Sequence, residues 1–506
     1  MPSEREWREG RRLPSRKALN MDSLAMFRLD WKKIVIICLY GSYLCCFSWW
    51  ACRNWGMGDE DYAWQLFPWI VTSLALNVFC LFGIKRTGYT DIGSWFLFAS
   101  YLFMHGHIFL VCLRQETTLL WNPSLFFSWE ELFHSAIYAH FCLCAFGFGY
   151  ALRLPSSKHI RPSALKEEDG KPDFLMKKIG IILLLVGLIF NAFVSFQIVS
   201  ATRAVSSYSG YSDVALTGGS GSLAMLILPG VIYLLCSHAL SPRQRISLTV
   251  VICGYLLLMM LLSGSRKFQI FYLLTIALCF YWTNGNYRLS FWKMVLSGSC
   301  LLIFLDFLYI IREHRMNLPG VGAAFWSSLE NMNFIHSIAG EVFAETGLTF
   351  YSVVSIVTFV PAVFPFEYGL TFVRTIPTLL PIGWLFPEFF GRAASTTVIN
   401  TYTELPVGAS LLGDFYWNFG FAGGMFAAFL WGWLLAKVTA AFLKRPNRAA
   451  MYFSMFFVVL LGVRAGIFEL FRPFVMVFLL PMFIYCWKKR NERNQNLTNQ
   501  IKEEFE

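Results

Sequence analysis

The chain has 506 residues, of which 56% are hydrophobic, 18% aromatic and only 14% charged, whereas a soluble domain carries roughly 25% charged residues. That deficit excludes a soluble enzyme. The formal net charge of +11 gives no support to a nucleic-acid partner either, because the basic residues sit between apolar runs instead of on one soluble face.

Apolar runs of bilayer length recur along the chain, so the fold class expected is an all-α polytopic membrane helix bundle of about 12 spans. The N-terminal stretch 1–33 is basic, from Arg5 to Lys33, and no small-residue cleavage site follows a short apolar core. The run 34–52 is therefore expected to stay as the first span. With the basic N-terminus inside, 34–52 leads out to the acidic loop Gly58-Asp59-Glu60-Asp61, and 64–84 returns to Lys85 and Arg86. The run 94–113 exits, and 131–151, weakest in hydropathy because of Glu131, His134 and His140, re-enters to a basic linker at 152–176. Runs 177–199, 223–239, 246–263, 268–283 and 292–311 continue the alternation, with Arg243, Arg245, Arg288 and Lys293 on the inner side. Residues 34–311 thus form a nine-span unit, with the lipid bilayer as its solvent.

The region 312–417 differs. It contains an apolar run, 348–364, but a crossing there would put Lys437, Lys444, Arg445 and Arg448 outside. It is expected on the external face as amphipathic or re-entrant helices interrupted by Pro361, Pro365, Pro377, Pro381, Pro387 and Pro406, folded against the bundle. Three C-terminal spans follow within 418–487 (418–440, 450–470 and 472–487), then a cytoplasmic tail at 488–506 beginning Lys488-Lys489-Arg490. Both termini are expected in the cytoplasm of a bacterial inner membrane.

No CxxC or HExxH motif appears, and His105 and His107, two apart, face different sides of a helix. No metal and no cofactor are expected. All 13 cysteines fall in or at the edges of apolar segments, where they read as small packing groups and not as disulfides. The small residues of Gly420-Phe421-Ala422-Gly423-Gly424 suit close helix packing.

Several arginines converge on the expected outer surface: Arg266 after the seventh span, Arg312 and Arg315 after the ninth, Arg464 inside the eleventh and Arg472 opening the twelfth. Arginine is disfavoured there unless it has a partner, and its planar fork is suited to phosphate. The set points to an anionic ligand, with a lipid diphosphate the obvious one. Against this, Arg464 can be read as an ion pair with Glu469, and Arg312 and Arg315 as interfacial snorkelling residues. Eight carboxylates, among them Glu341, Glu345, Glu404 and Asp414, lie in 312–417, interleaved with Trp326, Tyr351, Tyr368, Trp384, Tyr402, Tyr416 and Trp417. Such a mixture suits a carbohydrate groove, although aromatic belts also mark membrane interfaces. Asp414 or Glu345, with His336 as a rival, is placed to take a proton from an attacking hydroxyl.

The stretch Gly408-Ala409-Ser410-Leu411-Leu412-Gly413-Asp414-Phe415-Tyr416-Trp417-Asn418-Phe419-Gly420, running into a membrane helix, resembles the Wzy-type O-antigen and oligosaccharide repeat-unit polymerases. So do the Gly264-Ser265-Arg266 turn and the large Pro-rich region before Gly413. Asp414 stands where the resemblance would more often put glutamate. The resemblance implies a helical architecture similar to GT-C glycosyltransferases. It further implies metal-independent transfer of a polyprenyl-diphosphate-linked oligosaccharide at the outer face, for O-antigen, capsule or exopolysaccharide. Arg266, Arg312 and Arg315 would hold the diphosphate with Arg464 and Arg472 behind them, and a chain-length regulator and a flippase would be partners. An O-antigen ligase shares the donor and the external arginines. A transporter would instead need ionisable groups along an intramembrane path, for which Asp306 is the partial candidate.

Overall fold

The structure is a computed structural model that describes residues 31–59, 61–88, 90–114, 125–155, 173–205, 219–263, 267–284, 326, 334–379, 385–386, 389, 394–400, 402, 408–443 and 448–505. Among these residues it is helical, with no strand. Ten helices are long and apolar enough to cross a membrane. The first eight elements are α1 (Trp31–Arg53), α2 (Tyr62–Lys85), α3 (Ile92–Cys112), α4 (Trp129–Arg153), α5 (Phe174–Val205), α6 (Gly219–Cys236), α7 (Pro242–Ser263) and the shorter α8 (Lys267–Asn284). They match the expected runs to within a few residues at each end, and the run 292–311 lies outside the described residues.

The expected external region holds α9 (Phe334–Gly347), α10 (Phe350–Phe359) and the short helices α11 (Leu370–Thr375) and α12 (Ser395–Ile399). Part of it, Val342–Phe359, has the length and hydropathy to cross a membrane. Then come α13 (Leu411–Leu443), α14 (Ala449–Leu461), and α15 (Ile467–Pro473), which runs through a π-helical stretch into α16 (Leu480–Phe505). Two boundaries depart from expectation. The tenth span begins at Leu411 and not 418, because Ser410 caps it by accepting the Gly413 N–H at 3.1 Å. The eleventh ends at Leu461, where a five-residue turn bounded by Gly462 and Gly466 breaks the run expected to continue to 470.

The core seam joins α4 to α13. A Cβ at Gly149 would overlap the Phe429 carbonyl oxygen, and one at Gly432 would overlap the Phe146 carbonyl oxygen. The two glycines therefore let each backbone rest on the other. Lipid tails are as apolar as leucine, so helices in a bilayer associate through such close packing. The α4 window of the membrane helix is 83% buried, against 28% for α1, which marks α4 as the central post.

Contacts along the seam distinguish two ends of the bundle. At one, Lys85 Nζ donates to the Leu154 carbonyl at 2.7 Å, Arg153 lies 5.3 Å over the Trp433 ring, and Tyr452 donates to the Thr90 carbonyl at 2.7 Å. At the other, aromatic rings cluster: Trp55 on His134, Tyr62 on Trp129 and Trp55 against Phe421. The Val342–Phe359 helix touches this second end with both of its own ends. Phe343 packs on Phe109 near the close of α3, while Phe359 and the following Phe364 share Tyr402, and Phe364 packs on Trp417. Inside the bundle, Tyr40, Asn77, Tyr101 and Ser73 form a hydrogen-bonded chain, so these four buried polar groups of α1 to α3 satisfy one another.

Replacing Gly149 or Gly432 by alanine should push α4 and α13 apart at a cost of roughly 1–3 kcal/mol. The expected outcome is a lower melting temperature in detergent for each variant, with a smaller drop for the double variant than the two single drops together.

Candidate functional site

The site grows from the first two turns of α13. This helix is continuous only in outline: Gly420, at φ 66° and ψ −166°, breaks it into a half-helix, 411–419, and a long limb, 421–443. That backbone conformation is essentially confined to glycine. Helix 411–419 lies against α10 and α4, with Tyr138 of α4 donating to the Leu412 carbonyl at 2.9 Å. A Cβ at Gly413 would come 2.7 Å from Ile356 Cδ1, so a larger residue there would displace the end of that side chain.

Asp414, in the first turn of the half-helix, is only 2% exposed. Its Oδ2 accepts the backbone N–H of Ile467 at the start of α15, and the Ser395 hydroxyl also reaches its carboxylate. A Cβ on Gly466 would sit 2.6 Å from the same Oδ2, so only glycine lets the chain come this close. On the other side of the turn, Leu411 N donates to the Gly462 carbonyl at 3.3 Å. The 462–466 turn is thus clamped to the half-helix at both ends, and Arg464 sits at its middle. The expectation that Arg464 lies within a span is corrected: it occupies the turn after α14.

Arg472 follows in α15 and donates to the Thr378 carbonyl at 3.3 Å. Thr378 belongs to the segment just after α11, which packs on α15. The helix α11 is inverted relative to one in water: Leu370 and Val373 are exposed while Thr371 and Thr375 are buried. That pattern suits a segment whose outer face meets lipid. Glu367, just before α11, forms a largely buried salt bridge with Arg374 of that helix's last turn at 2.7 Å. Asn418 ties this turn to the half-helix. Its Oδ1 accepts the Gly369 N–H at 2.9 Å, and its Nδ2 donates to Thr371 Oγ1 and to the Asp414 carbonyl, both at 2.7 Å.

The comparisons with known proteins add one decisive finding. The family model described as O-antigen polysaccharide polymerase Wzy matches residues 34–492, nearly the whole chain. The chain belongs to the Wzy family of O-antigen polysaccharide polymerases. Neither the curated proteins nor the solved structures return a match. Membership of the Wzy family makes it a glycosyltransferase-type membrane enzyme acting on lipid-linked oligosaccharide.

Of the residues the sequence singled out, this Wzy fold brings Asp414, Arg464 and Arg472 into one neighbourhood. Glu345 is carried elsewhere, on α9, which packs along α3. Arg266, Arg312 and Arg315 lie outside the described residues, as do the side chains of Glu341 and His336. His105 and His107 do part company: His105 faces His140, while His107 bonds Tyr62 at 3.0 Å. Sequence reading missed Asn418, Gly466 and the Glu367–Arg374 pair. For Asn418 a signal was present, an amide four residues after Asp414 at the head of an apolar run, which helical spacing puts on the same face.

Asn418→Ala should leave the Gly369 N–H without its acceptor, at a cost of about 1–3 kcal/mol local to the 366–371 turn. Limited proteolysis of nanodisc-held protein should cut this turn faster in the variant, with cleavage elsewhere unchanged.

Proposed function

We propose that this chain polymerises polyprenyl-diphosphate-linked oligosaccharide repeat units into a surface polysaccharide, at the external face of a bacterial inner membrane and without a metal. The observation that carries the reading is the hydrogen bond from Ile467 N to the Asp414 carboxylate, which fastens a turn bearing an arginine beside a buried acid. The positive-inside rule orients the site. Lys85, Arg153 and Lys437 mark one end as cytoplasmic, so the Asp414 turn, at the aromatic end, faces outward. The contacts of Val342–Phe359 with that same end support a re-entrant path for it, with both termini of the chain inside.

In the reaction, a hydroxyl at the end of one lipid-linked glycan attacks the anomeric carbon of another. The new glycosidic C–O bond forms as the bond from that carbon to the diphosphate oxygen breaks, and the electron pair leaves with polyprenyl diphosphate. Arg464 and Arg472 receive the growing negative charge, a task suited to preorganised guanidinium groups. Arg266, Arg312 and Arg315 are assigned to the same diphosphate from their places in the sequence. Asp414 has one carboxylate oxygen engaged by Ile467, and the second accepts the proton of the attacking hydroxyl. Glu345, away from this turn, is the weaker candidate for that step.

The test is a deletion strain complemented with variants at matched protein levels, read as a polysaccharide ladder on a gel. Asp414→Asn and Arg464→Ala are each expected to collapse the ladder to single-repeat material, with Arg464→Lys restoring part of it. A wild-type ladder from Asp414→Asn would remove the base assignment. Polymer still made by the deletion strain, but retained on its lipid carrier, would replace polymerase by ligase.

A further inference from the structure

One aromatic assembly at the outer end is left unused by that mechanism. Trp55, in the turn after α1, is 44% exposed. His134 of α4 stacks on its ring, with centroids 4.2 Å apart and planes 20° from parallel, and His134 Nε2–H donates to the Trp55 carbonyl at 2.8 Å. The indole is therefore backed on one face and fixed in orientation by a bond to its own backbone. Phe421, the first residue beyond the Gly420 break, meets the same indole edge-on at 6.0 Å. Phe421 also packs on Tyr138 at 5.4 Å, and Tyr138 on Tyr416 at 4.9 Å. Tyr416 lies two residues from Asp414. A continuous row of rings thus leads from the candidate site to an exposed indole outside the first span.

An interfacial belt is the ordinary reason for tryptophan at such a level, and two neighbours show what the ordinary case looks like. Trp49 and Trp64 are also exposed, but each has an arginine over its ring, Arg53 at 5.5 Å and Arg114 at 6.0 Å. Trp55 has an imidazole stacked on one face where those two have an arginine. A sugar ring presents a face of slightly positive C–H groups, and the electron-rich face of a rigid indole is complementary to it. Rigid aromatic anchors also bind at small entropic cost, because His134 has already fixed the side chain.

We propose that Trp55, backed by His134, is a sugar-stacking subsite that holds a pyranose of the growing glycan away from the reacting end. The proposal rests on the polymerase reading and deepens it. Through Phe421 and the buried Tyr138, the indole is braced against the half-helix that carries Asp414. A subsite of this kind acts only once the glycan is long enough to reach it, so its loss affects later additions and spares the first.

The experiment compares wild type, Trp55→Ala, Trp55→Phe and His134→Ala at matched protein levels in the deletion strain. The strain's own polysaccharide, freed of lipid by mild acid and fractionated by size, serves as the binding probe. Its binding to nanodisc-held protein is measured by saturation-transfer NMR. Wild type should bind longer glycans more tightly than a single repeat. Trp55→Ala should bind the longer ones about three- to tenfold more weakly, and its ladder should shift to shorter chains while the two-repeat band persists. Trp55→Phe should recover most of both. A Trp55→Ala ladder and glycan affinity equal to wild type, in cells that do polymerise, would overturn the subsite alone. So would a saturation signal that comes from lipid and never from glycan. A deletion strain that still polymerises would instead remove the reading beneath the proposal, and the subsite with it.

Discussion

The approach of α4 to α13 sets the rest of the structure. Two helices whose glycines let backbone rest on backbone, Gly149 under Phe429 and Gly432 under Phe146, have little freedom to slide or rotate. A third glycine, Gly424, takes the Tyr138 ring in the same way. With the long limb of α13 seated at that depth, the Gly420 break falls beside Tyr138 and Phe421, and helix 411–419 turns aside there at the aromatic end of the bundle. Every candidate functional group then follows from where that half-helix lies. Asp414 meets Ile467, the 462–466 turn is pinned, and Asn418 gathers the 366–371 segment. In water, hydrophobic collapse would drive such an arrangement. In lipid, shape and internally satisfied polar groups carry it.

The arrangement also separates two kinds of polar group. Tyr40, Asn77, Tyr101 and Ser73 satisfy one another within α1 to α3 and read as structural, because each is accounted for by a partner inside the bundle. The groups around Asp414 belong to turns and helix ends, where backbone N–H and carbonyl groups are left over by the helices and are available to a buried carboxylate or amide.

Much of the fold was legible in the sequence, since bilayer-length apolar runs and the distribution of Lys and Arg are local properties of the chain. The stretch 408–420 was legible for a related reason: a cap, a glycine, an acid and an amide stand within two helical turns. The 462–466 turn was not, because 450–470 is apolar enough to read as one span. Gly462 and Gly466 end it through contacts with Leu411 and Asp414, some fifty residues away in sequence. The stack of His134 on Trp55 was equally invisible. His134 lowered the hydropathy of its span, and nothing local tells that its ring lies flat on an indole from the turn after α1. For 348–364, length and hydropathy speak for a crossing and loop charge against it. Only the contacts of Phe343 and Phe364 show where its two ends meet the bundle.

Breaking α13 at Gly420 releases carbonyl groups that an unbroken helix would keep for itself. Two of them, on Trp417 and Asn418, accept the N–H groups of Glu367 and Tyr368, each at 3.0 Å. The 367–368 segment is therefore spliced to the half-helix by main chain, much as one strand is laid on another. The join itself engages no side chain at either position. A substitution there leaves the two hydrogen bonds in place and is felt through what the side chain touches, the Arg374 ion pair of Glu367 above all.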